Sequence, residues 1–281
     1  MKNSTYTLTN GIEIPTIGFG TWQTPNGEVA YQAVLDAINA GYRHIDTAAV
    51  YGNEESVGKA IADSNVARQD IFLTSKLWNT AHTYEEAKAA IAESLRKLGT
   101  DYLDLYLIHW PNPASIRESW QTRNQQVWKA IEEAYEAGQL KAIGVSNFHP
   151  HHIDSLLETA KVKPQVNQIY LSPSDQQEAI VAYNKKHGIV TEAYSPLGTG
   201  TLLDVQEVKD IAAKYGKTPA QTALRWSLQK GFLPLPKSVT TQRIVDNLQV
   251  FDFELSDEDI AALDKLHGTA KVATNPDATG F

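Results

Sequence analysis

Among its 281 residues the chain has no cysteine. Disulfides, thiolate metal sites and a cysteine nucleophile are therefore excluded. Nor is there an apolar run near the ~18 residues that a membrane span needs. The first residues lack a basic stretch leading into an apolar one, so no secretory leader is expected. The sequon Asn3-Ser4-Thr5 is accordingly read as fortuitous, and the expected location is cytoplasmic. An excess of positive charge is missing as well. The formal net charge is −8, with the acidic residues scattered rather than in blocks. A nucleic-acid partner would require a basic face, so none is expected, and an anionic ligand would need a local positive cluster. The Gly-rich dinucleotide fingerprint is also absent, because Gly18-Phe19-Gly20-Thr21-Trp22-Gln23 lacks its third glycine.

Hydrophobic residues make up 42% and charged residues 21% of the chain, an ordinary globular balance. The length suits one α/β barrel in a single domain over 1–281. The chain opens as a hairpin. Tyr6 to Thr9 and Ile12 to Ile14 flank Asn10-Gly11, a strong turn signal between paired strands. Eight short apolar or β-branched runs follow, alternating with amphipathic stretches. They are Ile17–Gly20, Arg43–Asp46, Ile71–Ser75, Leu103–His109, Ala142–Ser146, Gln165–Gln168, Ile189–Tyr194 and Leu233–Pro236.

Helix punctuation lies between these runs. Thr83 with Glu86, and Thr218 with Gln221, fit the capping box, and Pro219 fits a first helical position. Gly41, Gly99, Gly138, Gly188 and Gly231 follow helical stretches as C-terminal caps do. Eight β-then-α units with no linker predict a closed (β/α)8 TIM barrel, preceded by the N-terminal hairpin. Two extra helices are expected over Val205–Tyr215 and Ser256–Leu266, with the segment Gly268–Phe281 as loop.

Barrel active sites lie at the C-terminal ends of the strands. That rule collects Asp46 and Tyr51, Lys76 and Trp78, His109 and Trp110, Ser146 and Asn147, Gln168, Tyr194 and Ser195, and Lys237 and Ser238. Singly, each is a turn, solvated or packing residue. Together they bring a carboxylate, a phenol, an ammonium and an imidazole to one rim. A phenol ionises near ~10, too high for an efficient acid at neutral pH. An adjacent ammonium would lower that value, and a carboxylate would hold the ammonium in place. Trp22, Val50, Trp78 and Trp110 would wall an apolar substrate pocket, whereas Trp120, Trp128 and Trp226 belong to packing. Lys237 and Arg243 flank a helix start near Thr240 and supply the local positive charge an anionic ligand needs.

These residues carry a resemblance. Gly41-Tyr42-Arg43-His44-Ile45-Asp46-Thr47-Ala48, Leu103 to Pro111, Gly144-Val145-Ser146-Asn147-Phe148 and Pro236-Lys237-Ser238-Val239-Thr240 resemble signatures of the aldo-keto reductases. The chain is most similar to their bacterial diketogluconate and methylglyoxal reductase branch. The resemblance implies an oxidoreductase that uses NADPH to reduce small carbonyl compounds without a metal. It implies Tyr51 as proton donor, Lys76 and Asp46 as its tuning pair, and His109 as the group orienting the carbonyl. Ser146, Asn147 and Gln168 would hold the nicotinamide carboxamide and Tyr194 would stack on its ring. Lys237, Ser238 and Arg243 would take the 2′-phosphate and Asn247 the adenine. Gly20, Thr21, Trp22, Ser195, Leu197 and Val239 would complete the cofactor groove. Pro196–Asp204 is short for a clamp over the cofactor, which implies faster exchange. A monomer is expected.

Three rivals are weaker. A barrel glycosidase needs two opposed carboxylates, and Asp46 has no acidic partner among the strand-end residues. Metal-dependent hydrolysis lacks a converging ligand set. A non-enzymatic binding protein on the same barrel would be favoured by loss of Tyr51 or His109, and both are present.

Overall fold

The computed structural model describes residues 4–281, so Asn3 of the sequon lies outside the described residues. The chain begins with the antiparallel pair β1 (Thr5–Thr7) and β2 (Glu13–Pro15), with Tyr6 opposite Ile14. Gly11 between them has φ 84°, the left-handed conformation that the tight turn requires. Eight parallel strands follow: β3 (Phe19–Gly20), β4 (His44–Asp46), β5 (Phe72–Leu77), β6 (Leu103–Ile108), β7 (Leu140–Ser146), β8 (Val166–Tyr170), β9 (Val190–Tyr194) and β10 (Leu233–Leu235). They pair in strict chain order from β3 to β10. The seam is closed by the N–H groups of Gly18 and Gly20, which donate to the carbonyls of Pro234 (3.1 Å) and Pro236 (3.0 Å). Glycine is needed at position 18. A Cβ there would lie 2.5 Å from Leu235 Cδ2 and 2.7 Å from His44 Nδ1.

Each barrel strand is followed by a helix on the outside. These are α1 (Glu28–Ala40), α2 (Glu54–Asp63), α3 (Tyr84–Leu98), α4 (Trp120–Glu136), α5 (Pro150–Leu157), α6 (Glu178–His187), α8 (Pro219–Gln229) and α9 (Thr241–Leu248). The two expected extra helices are α7 (Gln206–Lys214), inserted before α8, and α10 (Asp257–Leu263) after the barrel. Both predicted capping boxes form, at Thr83 with Glu86 and at Thr218 with Gln221. All five expected cap glycines have positive φ. Among the described residues, no helix is long and apolar enough to cross a membrane.

The apolar side chains sort into layers. Val34, Ile38, Ile91, Leu95, Trp128 and Ile131 fill the space between helices and the outer faces of the strands. Inside the barrel the lower layer is apolar. Leu8 and Ile14 of the hairpin pack there against Phe72, Leu105, Leu107 and Leu233, so the hairpin plugs the end at which the strands begin. Above that layer the interior turns polar, with His44, Asp46, Thr74, Lys76, Gln168 and Glu192 all buried. Water cannot satisfy groups in that position, so they must satisfy one another.

Candidate active site

At the open end of the barrel, where the strands finish, lies a cavity of about 1080 Å³. Its floor is a chain of hydrogen bonds built on neighbouring strands. Lys76, near the end of β5, is fully buried, and its Nζ donates to both carboxylate oxygens of Asp46 at 2.7 and 2.8 Å and to the Thr47 carbonyl at 2.9 Å. The Tyr51 hydroxyl lies 3.4 Å from the same Nζ, carried by the 3-10 turn Ala49–Tyr51 after β4. His109, just past β6, meets Tyr51 edge to face at 5.8 Å between ring centres and Trp78 at 5.2 Å.

The electrostatics are those of a dry site. Burial first, and the Lys76 charge second, hold the His109 imidazole well below its usual range, so its ring is neutral at pH 7. One expectation is corrected here. Burial, and then the Asp46 carboxylate, push the Tyr51 phenol well above the ordinary tyrosine value. Asp46 sits so close to Lys76 that it offsets the ammonium's pull, and the phenol keeps its proton.

Deeper in the barrel, below the strand-end residues, Asp46 does have an acidic neighbour. Gln168 Nε2 donates at 2.8 Å to Asp46 Oδ2 and at 2.8 Å to Glu192 Oε2. Glu192 stands opposite Gln168 in the β8–β9 register and is fully buried. Burial first, and Asp46 second, raise its carboxyl to about 8. Burial and Lys76 push His44 down to about 3. The 3.8 Å approach of His44 to Glu192 is thus a contact of neutral groups rather than an ion pair. The interior signal was readable: Glu192 alternates with Tyr194 on β9 and so shares its inward face. A neutral carboxyl linked by an amide to an ion pair does not make the opposed, water-spanning carboxylates of a glycosidase.

Most residues expected from the sequence converge on this cavity. Gly20, Trp22, Asp46, Val50, Tyr51, Trp78, His109, Trp110, Asn147, Gln168, Tyr194, Ser195 and Leu197 line it, and so do Lys237, Ser238, Val239, Arg243 and Asn247 at its far end. Three do not. Lys76 is buried within the floor rather than on its surface, Thr21 is buried with its hydroxyl on the Asp46 carbonyl at 2.9 Å, and Ser146 donates to the Gln168 carbonyl at 2.8 Å. Thr21 and Ser146 brace the strand ends from behind. Asn147 is held between the His109 carbonyl (2.9 Å) and the Tyr194 hydroxyl (2.8 Å). Gln23, Asn147, Ser195 and Thr199 line the cavity with positive φ, four of the five such non-glycine residues described. Backbone held in that region marks sites where ligands are positioned.

Several lining residues were missed. Phe281 stacks on Trp78 at 6.1 Å and meets Trp110 edge-on at 5.0 Å, closing the apolar side of the pocket. Lys271, Val272 and Thr274 line it too. This final segment is mostly loop, as expected, but it is tied down. Tyr170 donates to the Lys271 carbonyl, Ala273 N–H to Asp175 at 2.8 Å and Ala114 N–H to the Phe281 carbonyl at 2.8 Å. A polar loop without periodicity gave no signal for these contacts.

A dinucleotide cofactor fits these residues. The cavity slightly exceeds the roughly 300–1,000 Å³ of ordinary ligand pockets. Gln168 spends its Nε2 on the two carboxyls beneath it, and its Oε1 has no hydrogen bond from the described residues. At the far end the exposed Lys237 and Arg243 flank the N-terminus of α9, a favourable place for a phosphate.

The chain is similar to known proteins along nearly its whole length. The model of the aldo/keto reductase family matches residues 16–267. Glyoxal reductase of Bacillus subtilis is 46% identical over 277 residues, 99% of this chain and 98% of the relative. Methylglyoxal reductase DkgA of Escherichia coli K12 is 42% identical over 275 residues, 97% of each chain. A Bombyx mori aldo-keto reductase solved with NADP superposes with a TM-score of 0.88 at 36% identity, covering 99% of this chain and 97% of that one. With four acid–base groups on the floor of a (β/α)8 barrel and these likenesses along nearly its whole length, the chain belongs to the aldo/keto reductase family.

Proposed function

We propose that this protein reduces small aldehydes and ketones to alcohols with NADPH, using Tyr51 as the proton donor. The observation that carries the reading is the floor of the cavity, where one phenol, one ammonium and one carboxylate form a continuous hydrogen-bonded chain beside a neutral imidazole. When bound, the reduced dinucleotide supplies a hydride, the two electrons that the carbonyl carbon needs. Everything else falls to the protein. A neutral His109 and the Tyr51 hydroxyl offer hydrogen-bond donors to the carbonyl oxygen and stabilise the negative charge that builds there. Tyr51 then passes its proton to that oxygen, and the O–H bond of the alcohol forms as the phenol O–H breaks. The phenolate left behind lies 3.4 Å from the Lys76 ammonium, which stabilises it until solvent returns a proton. Trp78, Trp110 and Phe281 give the pocket beside this chain an apolar wall.

At the other end, Lys237, Ser238 and Arg243 are the groups to hold a 2′-phosphate, which favours NADPH over NADH. Asn147 and Gln168 would hold the carboxamide, Tyr194 the nicotinamide ring, and Asn247 the adenine. All of these residues belong to one chain, which supports a monomer as the catalytic unit we propose.

The slot walled by Trp22, Trp78, Trp110 and Phe281 suits small, electron-poor carbonyls such as α-dicarbonyls, keto acids, keto esters and short or aromatic aldehydes. An electron-withdrawing neighbour makes the carbonyl carbon a better hydride acceptor, so tight positioning matters less. The test is a carbonyl panel assayed by nicotinamide absorbance with NADPH and with NADH. Methylglyoxal-sized substrates should give a higher kcat/KM than steroid-sized ketones, and NADPH should outperform NADH. Equal use of the two cofactors, or a preference for bulky ketones, would overturn the corresponding half of the reading.

A further inference from the structure

We propose that His149, His151 and Asp277 form a binding site for one divalent transition-metal ion of the zinc class, which latches the segment 275–281 onto the start of α5. The site lies outside the chemistry at Tyr51 and brings together two stretches far apart in the chain. His149 and His151 stand at the N-terminus of α5, and Asp277 belongs to the 3-10 turn Pro276–Ala278. One ligand atom from each lies within 4.8 Å of the other two. Zinc holds nitrogen and oxygen ligands at ~2.0–2.2 Å, which puts ligand pairs roughly 3.4 Å apart in a tetrahedron. The two rings are half-buried and exposed, so small side-chain rotations close the difference.

What surrounds the carboxylate sets this cluster apart from a chance grouping of surface charges. Asp277 Oδ1 accepts from Asn112 Nδ2 at 2.9 Å and from His152 Nε2 at 2.9 Å. His152 is fully buried, and its Nδ1 accepts the His149 backbone N–H at 3.0 Å. That bond fixes the proton of His152 on Nε2, where it points at Asp277. Both donors occupy Oδ1, which leaves Oδ2 turned to His151 Nε2 at 3.3 Å. Trp120 packs edge-on against His151 and His152 and stiffens the pair. Metal-binding carboxylates are oriented by such outer hydrogen bonds. Two imidazoles and one carboxylate favour zinc, copper or nickel over magnesium or calcium, which prefer all-oxygen sites. Three protein ligands leave a further coordination position to water.

The ion would do more than occupy the surface. Four residues after Asp277, Phe281 lies against Trp78 and Trp110 at the mouth of the cavity. A metal ion bound across α5 and Asp277 would stabilise that closed arrangement by an amount that grows with the logarithm of its concentration over its dissociation constant.

The experiment is titration of the full, tag-free chain with zinc chloride by calorimetry, alongside His151→Ala, Asp277→Asn and Asn112→Ala, with amide exchange of residues 275–281 followed with and without zinc. The parent should bind one ion. Asn112→Ala should weaken binding about tenfold, since it removes only an outer hydrogen bond, and the two ligand variants should lose more. Exchange across 275–281 should slow with zinc in the parent and not in His151→Ala. No zinc binding by the parent, or equal binding by the parent and both ligand variants, would overturn the site. Binding without slower exchange would overturn the latch. None of these readouts depends on carbonyl reduction, so the outcome stands apart from the catalytic reading.

Discussion

The two ends of the cavity are built on opposite principles. At the inner end, Asp46, Lys76 and His109 are each less than a tenth exposed and Tyr51 is half-buried. Lys76 alone makes four polar contacts there. At the outer end, Lys237, Val239 and Arg243 are exposed, and the Lys237 ammonium has a single hydrogen bond, 3.2 Å to the Gln23 carbonyl. The inner end is fixed before any ligand arrives, which is what a site needs if donors are to meet a developing charge without reorganising. The outer end keeps its charges in water, where they attract a phosphate at little desolvation cost and release it again. Burial is placed where a bond is made, and exposure where a ligand must come and go.

Disturbing the inner end should therefore have the larger effect. Lys76→Met leaves the Asp46 carboxylate buried without its partner. Breaking a buried pair in this way costs about 3–5 kcal/mol, readable as a lower denaturant midpoint with an unchanged slope. A loss below about 1 kcal/mol would mean that Asp46 is rescued by water and that the inner end is less closed than its burial indicates. Lys237→Ala removes one charge-assisted contact, worth about 1.5–3 kcal/mol, so NADPH affinity should fall roughly 10- to 150-fold with little change in NADH affinity. That loss should shrink at high salt, because exposed charges are screened. Salt-independence would place Lys237 with the buried groups instead.

A pH dependence sharpens the inner end further. An unfolded glutamate ionises near ~4.3, while Glu192 in the fold keeps its proton up to about 8. Between those values the unfolded chain binds fewer protons than the folded one, so stability falls as pH rises through this window. Glu192→Gln cannot ionise and keeps the shape, so its melting temperature relative to the parent should climb from pH 5 to pH 8. Parallel curves for the two proteins would show that Glu192 is already ionised in the fold.

The same contrast explains what could be read from the sequence. Repetition and punctuation made the frame legible: all eight barrel strands, both capping boxes, five cap glycines and both extra helices lie where apolar periodicity and turn chemistry put them. The strand-end rule then collected the rim residues, because a barrel gives every strand end the same destination. Glu192 escaped that rule by lying two residues before the end of β9, and only its inward alternation with Tyr194 betrays it. The raised Tyr51 value comes first from burial and then from the nearby Asp46 carboxylate, neither of which residue types alone can supply. Phe281 and Asp277 belong to a loop whose place is set by single contacts to Ala114, Asn112 and His152, not by any period.

The central claim is that Tyr51 acts in the proton step and not in holding the cofactor, and Tyr51→Phe tests it most directly. The substitution keeps the ring beside His109 and removes only the hydroxyl 3.4 Å from Lys76. NADPH affinity, measured by fluorescence titration, should stay within about twofold of the parent, while kcat for methylglyoxal falls by at least the ~10²–10⁴-fold that a positioned general acid contributes. Near-parental turnover in that variant, or a loss of cofactor affinity matching the loss of turnover, would contradict the account.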